Sequence, residues 1–242
     1  MSDDRLHTDD GSYTRFSERY QQSYHSTHGA LTEANHVYLD ATGVTDRLRN
    51  QQPTQILEIG FGLGLNALLC ADLAQRCQTQ LSFHSFEHDL MSSSAFEELE
   101  YQQLVRHPEL AQQLKQALSC LPPVKIENRA YEQAAPIKLG DYTHLHIHQY
   151  DVSKINLKAV CGGGFHAIFL DAFSPDVNAE CWSPLLINQL AQLLANDGHL
   201  STYCSKGDVR RALLSAGLSV TKRPGPPGKR EILVASSLIA SA

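Results

Sequence analysis

The stretch QILEIGFGLGLN, residues 55–66, decides the fold of this chain. Residues 55–60 form a short apolar run typical of a buried strand, and three alternating glycines lead into a helical pattern that begins at Leu65. Glycines at this spacing let the chain turn tightly and bring its backbone close to a ligand. Short apolar runs then alternate with helical stretches as far as the last residues. The pattern predicts an α/β fold with an open, doubly wound sheet.

The glycine loop allows several interpretations. A phosphate-binding P-loop needs Lys-Ser or Lys-Thr after the last glycine, where Asn66-Ala67 stands, and a dinucleotide loop needs its third glycine where Leu65 stands. The remaining ligand is S-adenosylmethionine (SAM), whose sulfonium and ammonium charges suit the carboxylate of Glu58 at the end of the strand. A structural turn without a ligand remains the alternative.

Acidic residues also end two later strands. Glu87 closes the run LSFHSFE and suits the ribose hydroxyls of an adenosine. Asp151 closes THLHIHQYD, where it is expected to reach the adenine amino group. Together with Glu58, these acids indicate an adenosine-containing ligand.

The segment FLDAFSP, residues 169–175, is the most specific stretch. Asp171 follows a buried strand, so its carboxylate is expected in the crevice where open α/β sheets bind ligands. The next side chains suit a flat heterocycle that is stacked and held at its edge; they are Phe173, Ser174, Pro175, Asn178 and Trp182. The alternative is that Phe173 and Trp182 are core residues and that Asp171 caps a helix.

We expect about seven strands, mostly parallel, with the last two forming a hairpin around the Gly/Pro-rich loop at 224–229. This sheet and its helices fill one domain over residues 51–242. Residues 13–50 are expected to lie across the cofactor cleft as an N-terminal extension. The acidic, polar residues 1–12 are expected to be disordered.

Charge is unevenly distributed along the 242 residues. The net charge is −6, yet residues 201–242 hold seven bases against two acids. Such asymmetry indicates an anion-binding face or, alternatively, an ordinary solvated surface. The candidate phosphate contacts are Lys206, Arg210, Arg211, Lys229 and Arg230.

Other features point to a cytoplasmic protein. No apolar run approaches the roughly 18 residues of a membrane helix, and the N-terminus lacks a secretory pattern. The six cysteines are scattered without C-x-x-C spacing, which indicates reduced thiols. His144, His146 and His148 share one strand face, where we expect polar packing and no metal.

The chain resembles a known family, the methyltransferases that complete 5-methylaminomethyl-2-thiouridine at the tRNA wobble position (the methyltransferase half of MnmC, or free-standing MnmD). The resemblance covers about residues 20–236. It rests on YQQSYHS, GALTEANHVYL, EIGFGLGLN, QYD, FLDAFSPDVNAECW, STYCSKGDVRRAL and GPPGKREILVA.

The resemblance implies a class I, Rossmann-like fold and SAM-dependent N-methylation of 5-aminomethyl-2-thiouridine in a tRNA anticodon stem-loop. Asp171 would face the substrate amine as the catalytic group, and Tyr24, Glu33 and Asn35 would help close the pocket. The expected cofactor residues are Glu58, Gly60, Phe61, Gly62, Gly64, Leu65, Asn66, Glu87, Tyr150, Asp151 and Asp171. With no oxidase domain expected in the chain, a separate flavin-dependent oxidase or upstream tRNA-modifying enzymes would supply the amine.

Two other functions remain open. A methyl- or aminopropyltransferase acting on a small-molecule amine explains the acidic charge but gives the basic C-terminal segment no role. A non-catalytic SAM-binding module gives no role to Asp171 and the aromatic residues beside it.

Overall fold

The strand predicted at residues 55–60 lies inside an eight-stranded sheet of the computed structural model, which describes residues 4–121 and 135–237. The strands are β1 (Arg5–His7), β2 (Tyr13–Ser17), β3 (Gln22–Ser23), β4 (Thr54–Ile59), β5 (Leu81–Phe86), β6 (Ile137–Leu139), β7 (Thr143–His148), β8 (Phe165–Leu170), β9 (Leu194–Thr202), β10 (Leu218–Pro224) and β11 (Glu231–Ser237).

Helices cover both faces of this sheet. The α-helices are α1 (Ala30–Glu33), α2 (Val44–Arg49), α3 (Leu65–Cys77), α4 (Ser93–Glu97), α5 (Pro108–Cys120), α6 (Leu157–Cys161), α7 (Pro184–Leu193) and α8 (Gly207–Ser215). A π-helical segment spans Ala34–Asp40, and short 3-10 helices span Tyr101–Gln103, Val152–Lys154 and Ala179–Trp182. Within the two described ranges, no helix has the length and apolar content needed to cross a membrane.

The strand order is β10-β11-β9-β8-β4-β5-β7-β6. Strands β7, β5, β4, β8 and β9 pair in parallel, whereas β11 is antiparallel to both of its neighbours and β6 to β7. The predicted doubly wound architecture and C-terminal hairpin are confirmed. Strand β6 raises the predicted count of about seven to eight, because three residues at a sheet edge are too few to give a recognisable alternation.

The strand ends align where the winding of the sheet reverses, between β4 and β8. Ile59 is in register with both Leu170 and Phe86, and Phe86 is in register with His148. The ladder continues one residue further, since Asp171 N–H donates to Ile59 and Gly60 N–H donates to Phe86. Ligands of open α/β sheets bind in the crevice at such a reversal.

The first described residues differ from the prediction of disorder. Arg5–His7 pairs with β2, and Thr8 and Ser12 are buried. The carboxylate of Asp10 accepts hydrogen bonds from the backbone N–H groups of Ser12 and Thr32. Order here comes from polar side chains that satisfy a turn, which a composition argument based on hydrophobic content does not detect. Residues 1–3 lie outside the described ranges.

The histidines predicted on one strand face pack in a column across β5 and β7. The rings of His84 and His146 stack with centroids 4.2 Å apart, and His84 Nδ1 lies 3.1 Å from His148 Nε2. Burial lowers the pKa of His84 to about 4 and that of His148 to about 3. Both rings are therefore neutral at pH 7, which suits the expected polar packing. His144 lies on the same strand but is exposed.

A glycine is required at position 60. Its φ is +96°, and an added Cβ would lie 2.7 Å from the backbone oxygen of Asp171. We predict that Gly60→Ala lowers the free energy of unfolding by more than about 2 kcal/mol, because it adds a backbone clash to the cost of a positive φ. Gly43→Ala is the matched control, since Gly43 has φ +78° with open space around it. Urea denaturation of both variants checks this; equal losses would exclude the clash.

Candidate active site

A cleft of about 840 Å³ opens at the carboxyl ends of β4, β5, β7 and β8. Thirteen of the residues predicted for the site line it: Gly60, Phe61, Gly62, Leu65, Asn66, Glu87, Tyr150, Asp151, Asp171, Phe173, Ser174, Asn178 and Lys229. Eight others lie outside its lining: Glu58, Gly64, Pro175, Trp182, Lys206, Arg210, Arg211 and Arg230. The cleft therefore gathers side chains from loops that are far apart in sequence.

Asp171 is the centre of a hydrogen-bond network. Its Oδ1 accepts from the hydroxyl of Tyr38, and its Oδ2 accepts from Asn66 Nδ2 at 2.9 Å. The same Nδ2 donates to Glu58 Oε1 at 3.0 Å, and Ser85 Oγ donates to Glu58 Oε2 at 2.6 Å. Two carboxyl groups from neighbouring strands are thus held by one shared amide.

Burial controls the protonation of this pair. It raises the pKa of Asp171 well above its usual range, with a further increase from nearby Glu33 and Glu58, against the opposing hydrogen bond from Tyr38. Burial also raises the pKa of Glu58 to about 7, although Ser85 and Asn66 donate to it. A positively charged ligand in the cleft would oppose both upward pKa shifts and favour the ionised carboxylates.

Glu58 was predicted to serve the cofactor directly or through the backbone that it orients; it is only 1% exposed, which favours the indirect role. It reaches the cleft through Asn66. Gly64 likewise lies outside the lining. It is the N-cap residue of helix α3 and has a φ of +76°. Both residues support the loop without lining the cavity.

The acids at the ends of β5 and β7 also organise their own loops. Glu87 accepts three backbone N–H groups, from Gly62 at 3.1 Å, His88 at 2.9 Å and Asp89 at 2.8 Å. A carboxylate offers about four acceptor positions, so Glu87 retains about one for a ribose hydroxyl rather than the two expected.

Asp151 lines the cleft and caps the 3-10 helix that follows it. Its Oδ1 accepts from the backbone and hydroxyl of Ser153, and Lys154 Nζ lies 2.9 Å from its Oδ2. Partial burial raises the pKa of Asp151, but these two partners outweigh it and lower the pKa below its ordinary value. Asp151 is therefore an anion at neutral pH.

The chemistry of the lining fits SAM. Asn66 Oδ1 is a buried acceptor without a hydrogen-bond partner among the described residues, and it belongs to a residue that lines the cleft. An ammonium is a natural donor to such an acceptor. Asp171, Glu87 and Asp151 add carboxyl groups along the same cavity for a sulfonium, a ribose and an adenine amino group.

The N-terminal segment supplies the opposite wall. Tyr20 stacks on Phe173 with centroids 4.3 Å apart, and Tyr24 meets the same ring edge-on at 4.9 Å. Gln22 Nε2 donates to Ser174 Oγ at 2.7 Å. The resemblance predicted that Tyr24, Glu33 and Asn35 help close the pocket. Tyr24 and Glu33 line the cleft, whereas the side-chain amide of Asn35 donates a hydrogen bond to the carbonyl oxygen of Leu31, four residues earlier.

Trp182 was predicted to stack on the substrate, but it belongs to the core. It is 5% exposed and its Nε1 donates to the carbonyl oxygen of Phe173 at 2.8 Å. The indole thus supports the loop that carries Phe173. Pro175 lies in the same loop, outside the lining. The core interpretation that the sequence left open applies to Trp182 and not to Phe173.

The predicted phosphate contacts divide into two groups. Lys229 points into the cleft, with its Nζ 3.1 Å from Glu33 Oε1. Lys206 and Arg211 are exposed and form ion pairs with Asp176 and Asp208. Arg230 is exposed and Arg210 partly exposed. The second group lies on the outer surface of the protein, whereas Lys229 is a quarter exposed at the cleft.

Sequence reasoning missed Tyr38, Tyr20, Gln22 and Ser85. Tyr38 and Ser85 sit among apolar neighbours, so their patterns indicate core packing. Tyr20 and Gln22 belong to a resembling motif that assigns them no role. The hydrogen bonds of Tyr20, Gln22 and Tyr38 join residues more than 60 positions apart, and that of Ser85 reaches Glu58 on the neighbouring strand. Local sequence patterns do not encode such contacts.

Comparisons with known proteins agree with this geometry. Over 236 residues the chain is 33% identical to the tRNA 5-methylaminomethyl-2-thiouridine biosynthesis bifunctional protein MnmC of Cupriavidus necator, covering 91% of this chain and 32% of that protein. It is 34% identical over 227 residues to the protein of the same name from Ralstonia nicotianae, covering 92% and 33%. The chain therefore spans about a third of the length of these relatives.

A solved structure and a family model extend the comparison. The crystal structure of MNMC2 from Aquifex aeolicus superposes with a TM-score of 0.76 at 25% identity, covering 96% of this chain and 70% of that one. A family model described as S-adenosyl-L-methionine-dependent methyltransferase matches residues 109–237, just over half of the chain. With its sheet order and the carboxyl groups that line its cleft, the chain belongs to the S-adenosyl-L-methionine-dependent methyltransferases.

Proposed function

We propose that this enzyme methylates the primary amine of 5-aminomethyl-2-thiouridine at the wobble position of tRNA. The observation that carries the proposal is the carboxyl group of Asp171, which faces the cleft and is held on both oxygens by Tyr38 and Asn66. The names of the MnmC relatives supply the substrate class. With an anticodon substrate, we infer that the reaction takes place in the cytoplasm.

The reaction requires a neutral amine. A primary alkylamine has a pKa near that of lysine, about 10.4, so at pH 7 it enters mostly as a non-nucleophilic ammonium. When bound, SAM supplies an electrophilic methyl group on a sulfonium. Asp171 would bind the incoming ammonium, orient it and accept its proton directly or through water. Tyr38 and Asn66 would keep the carboxyl group in one orientation throughout.

The wobble base is single-stranded and can leave the anticodon loop without opening a duplex. Tyr20 and Phe173 line the cleft as a stacked pair and would offer the base an aromatic contact, and Ser174 and Asn178 would offer polar contacts at its edge. The cleft therefore suits a flat base that carries an amine on a short arm.

Bases distant in sequence gather near this cleft. The pairing of Leu233 with Thr202 places Arg230 close to the segment that carries Lys206. Lys206 in turn pairs with Asp176, in the loop that follows β8. We infer that Lys206, Arg210, Arg211 and Arg230 contact the phosphates of the anticodon stem-loop.

Methyl transfer does not create the aminomethyl group. We infer that another activity supplies it, for which a flavin-dependent oxidase or an upstream tRNA-modifying enzyme is the candidate. The relatives are called bifunctional, and this chain matches about a third of each.

The activity is tested directly with labelled SAM and two acceptors. Bulk tRNA from cells that lack the terminal methylation should take up label, and polyamines should not. Transfer to polyamines alone would favour the small-molecule alternative, and SAM binding without transfer to either acceptor would favour a binding module.

Asp171→Asn should lower the single-turnover rate by about 10²- to 10⁴-fold, the usual contribution of a positioned acid or base. SAM affinity should fall far less than the rate, because Asn can accept from Asn66 and donate to the Tyr38 hydroxyl, so that only the charge beside the sulfonium is lost. Asp197→Asn is the matched control, since Asp197 pairs with Arg47 outside the cleft and should leave the rate unchanged. An unchanged rate in Asp171→Asn would remove Asp171 from the catalytic role.

SAM should bind more tightly as pH rises, whereas S-adenosylhomocysteine (SAH) should show a weaker dependence. The raised pKa values of Asp171 and Glu58 mean that the network must lose protons before Asp171, with Glu58 behind it, places a negative charge beside a sulfonium, which SAH lacks. Titration calorimetry between pH 6 and 8.5 in buffers of different ionisation heat measures both affinity and proton release. Identical pH profiles for the two ligands would contradict this linkage.

The double variant Lys206→Met/Arg230→Met should bind tRNA more weakly and flatten the salt dependence of binding by about two counterions. Lys138→Met is the control, because Lys138 lies on edge strand β6 at the opposite end of the sheet. Binding is measured from 50 to 300 mM salt. A slope equal to that of the unmodified enzyme would exclude these bases from the interface.

A further inference from the structure

Lys229 lines the cleft, and only a quarter of its side chain is exposed. Its Nζ lies 3.1 Å from Glu33 Oε1 and 4.7 Å from the centre of the Tyr203 ring. Glu33 is itself buried and fixed, since its Oε2 accepts the backbone N–H of Ser26 at 2.7 Å. A carboxylate and an aromatic face thus hold one ammonium inside the cavity.

The hairpin loop that carries Lys229 enforces this direction. Lys229 N–H donates to Pro226 at 2.9 Å, and Gly225 N–H donates to Arg230 at 3.1 Å. A Cβ at Gly228 would lie 2.1 Å from His28, so the loop packs tightly on the N-terminal segment. Neighbouring bases therefore differ in environment: Lys229 lines the cleft and Arg230 is exposed.

The same contacts bring the Lys229 ammonium to the Asp171 end of the cleft. Tyr203, on which the ammonium lies, donates from its hydroxyl to the carbonyl of Ala172 at 2.9 Å, one residue after Asp171. The charge of Glu33 also contributes to the raised pKa of Asp171. The other lysine and arginine of the lining, Lys154 and Arg19, pair with Asp151 and Asp89.

A carboxylate alone is poorly suited to activate an amine, because it stabilises the ammonium that must lose its proton. The other charged and titratable groups near Lys229 and Asp171 include the carboxyls of Glu33 and Glu58, the hydroxyls of Tyr38 and Tyr203, the thiol of Cys204 and the imidazoles of His25 and His28. Among these groups Lys229 carries a positive charge, and a like charge nearby disfavours the protonated form of an amine.

We propose that Lys229 is a functional residue of the amine site, where its ammonium, held by Glu33 and Tyr203, keeps the substrate amine in its neutral, nucleophilic form. This inference rests on the proposed function. The substrate ammonium first loses a proton to Asp171 or to solvent. The nitrogen lone pair then forms the N–C bond while the C–S bond of the methyl donor breaks and its electron pair passes to sulfur. The product is a secondary ammonium, which leaves with its extra proton or releases it to solvent.

The test is the pH dependence of the single-turnover rate at saturating tRNA and SAM, from pH 6 to 9.5. In Lys229→Met the limb that reports amine deprotonation should move to higher pH by about one unit. The rate at pH 7 should fall about tenfold and recover as pH rises. Lys229→Arg keeps the charge and should retain the profile of the unmodified enzyme.

Lys222→Met is the matched control, because Lys222 lies in the same hairpin, exposed and paired with Glu231. Its profile should not move. SAM affinity and thermal unfolding of each variant establish that the fold is intact. A Lys229→Met profile that is unshifted, or lowered equally at every pH, would overturn the inference. Absence of transfer to tRNA by the unmodified enzyme would instead refute the proposed function.

Discussion

The amide of Asn66 donates at once to Glu58 and Asp171, two carboxyl groups that end neighbouring parallel strands. Buried carboxyls at this spacing repel one another when ionised, which contributes to the raised pKa of Asp171, and the donor that they share stabilises both groups. Burying these carboxyl groups costs free energy, and a cationic ligand bound in the cleft would offset that cost. The geometry of the glycine loop, the start of α3 and the direction of Asp171 all depend on this link.

Two parts of the chain that are distant in sequence form the cleft together. The sheet supplies the acids, and the first 40 residues supply the tyrosines, Gln22 and Glu33 that face them. The polar contacts that join these parts in the cleft include the Gln22–Ser174 pair, the Tyr38–Asp171 bond and the Lys229–Glu33 ion pair. Orientation of the substrate therefore depends as much on the N-terminal segment as on the sheet.

Much of the sheet could be predicted from the sequence, because its strands are continuous apolar runs and its helices have clear ends. Helix α3 begins at Leu65, as predicted, and Glu87, Asp151 and Asp171 were predicted to follow strands, as they do. Strands β1–β3 and β6 were not, since two to five residues give too little periodicity. Trp182 and Lys229 were assigned to the wrong surroundings because residue type does not reveal direction: one indole points into the core, and one lysine points into the cavity.

The hydrogen bond between Gln22 in β3 and Ser174 in the loop after β8 has a consequence for how the protein folds during synthesis. Gln22 leaves the ribosome long before its partner Ser174, which follows 152 residues later. Contacts of such separation form slowly and only after the intervening chain has collapsed. The wall of the cleft is therefore completed late in folding, and a nascent chain must hold its N-terminal tyrosines exposed until the eighth strand has docked.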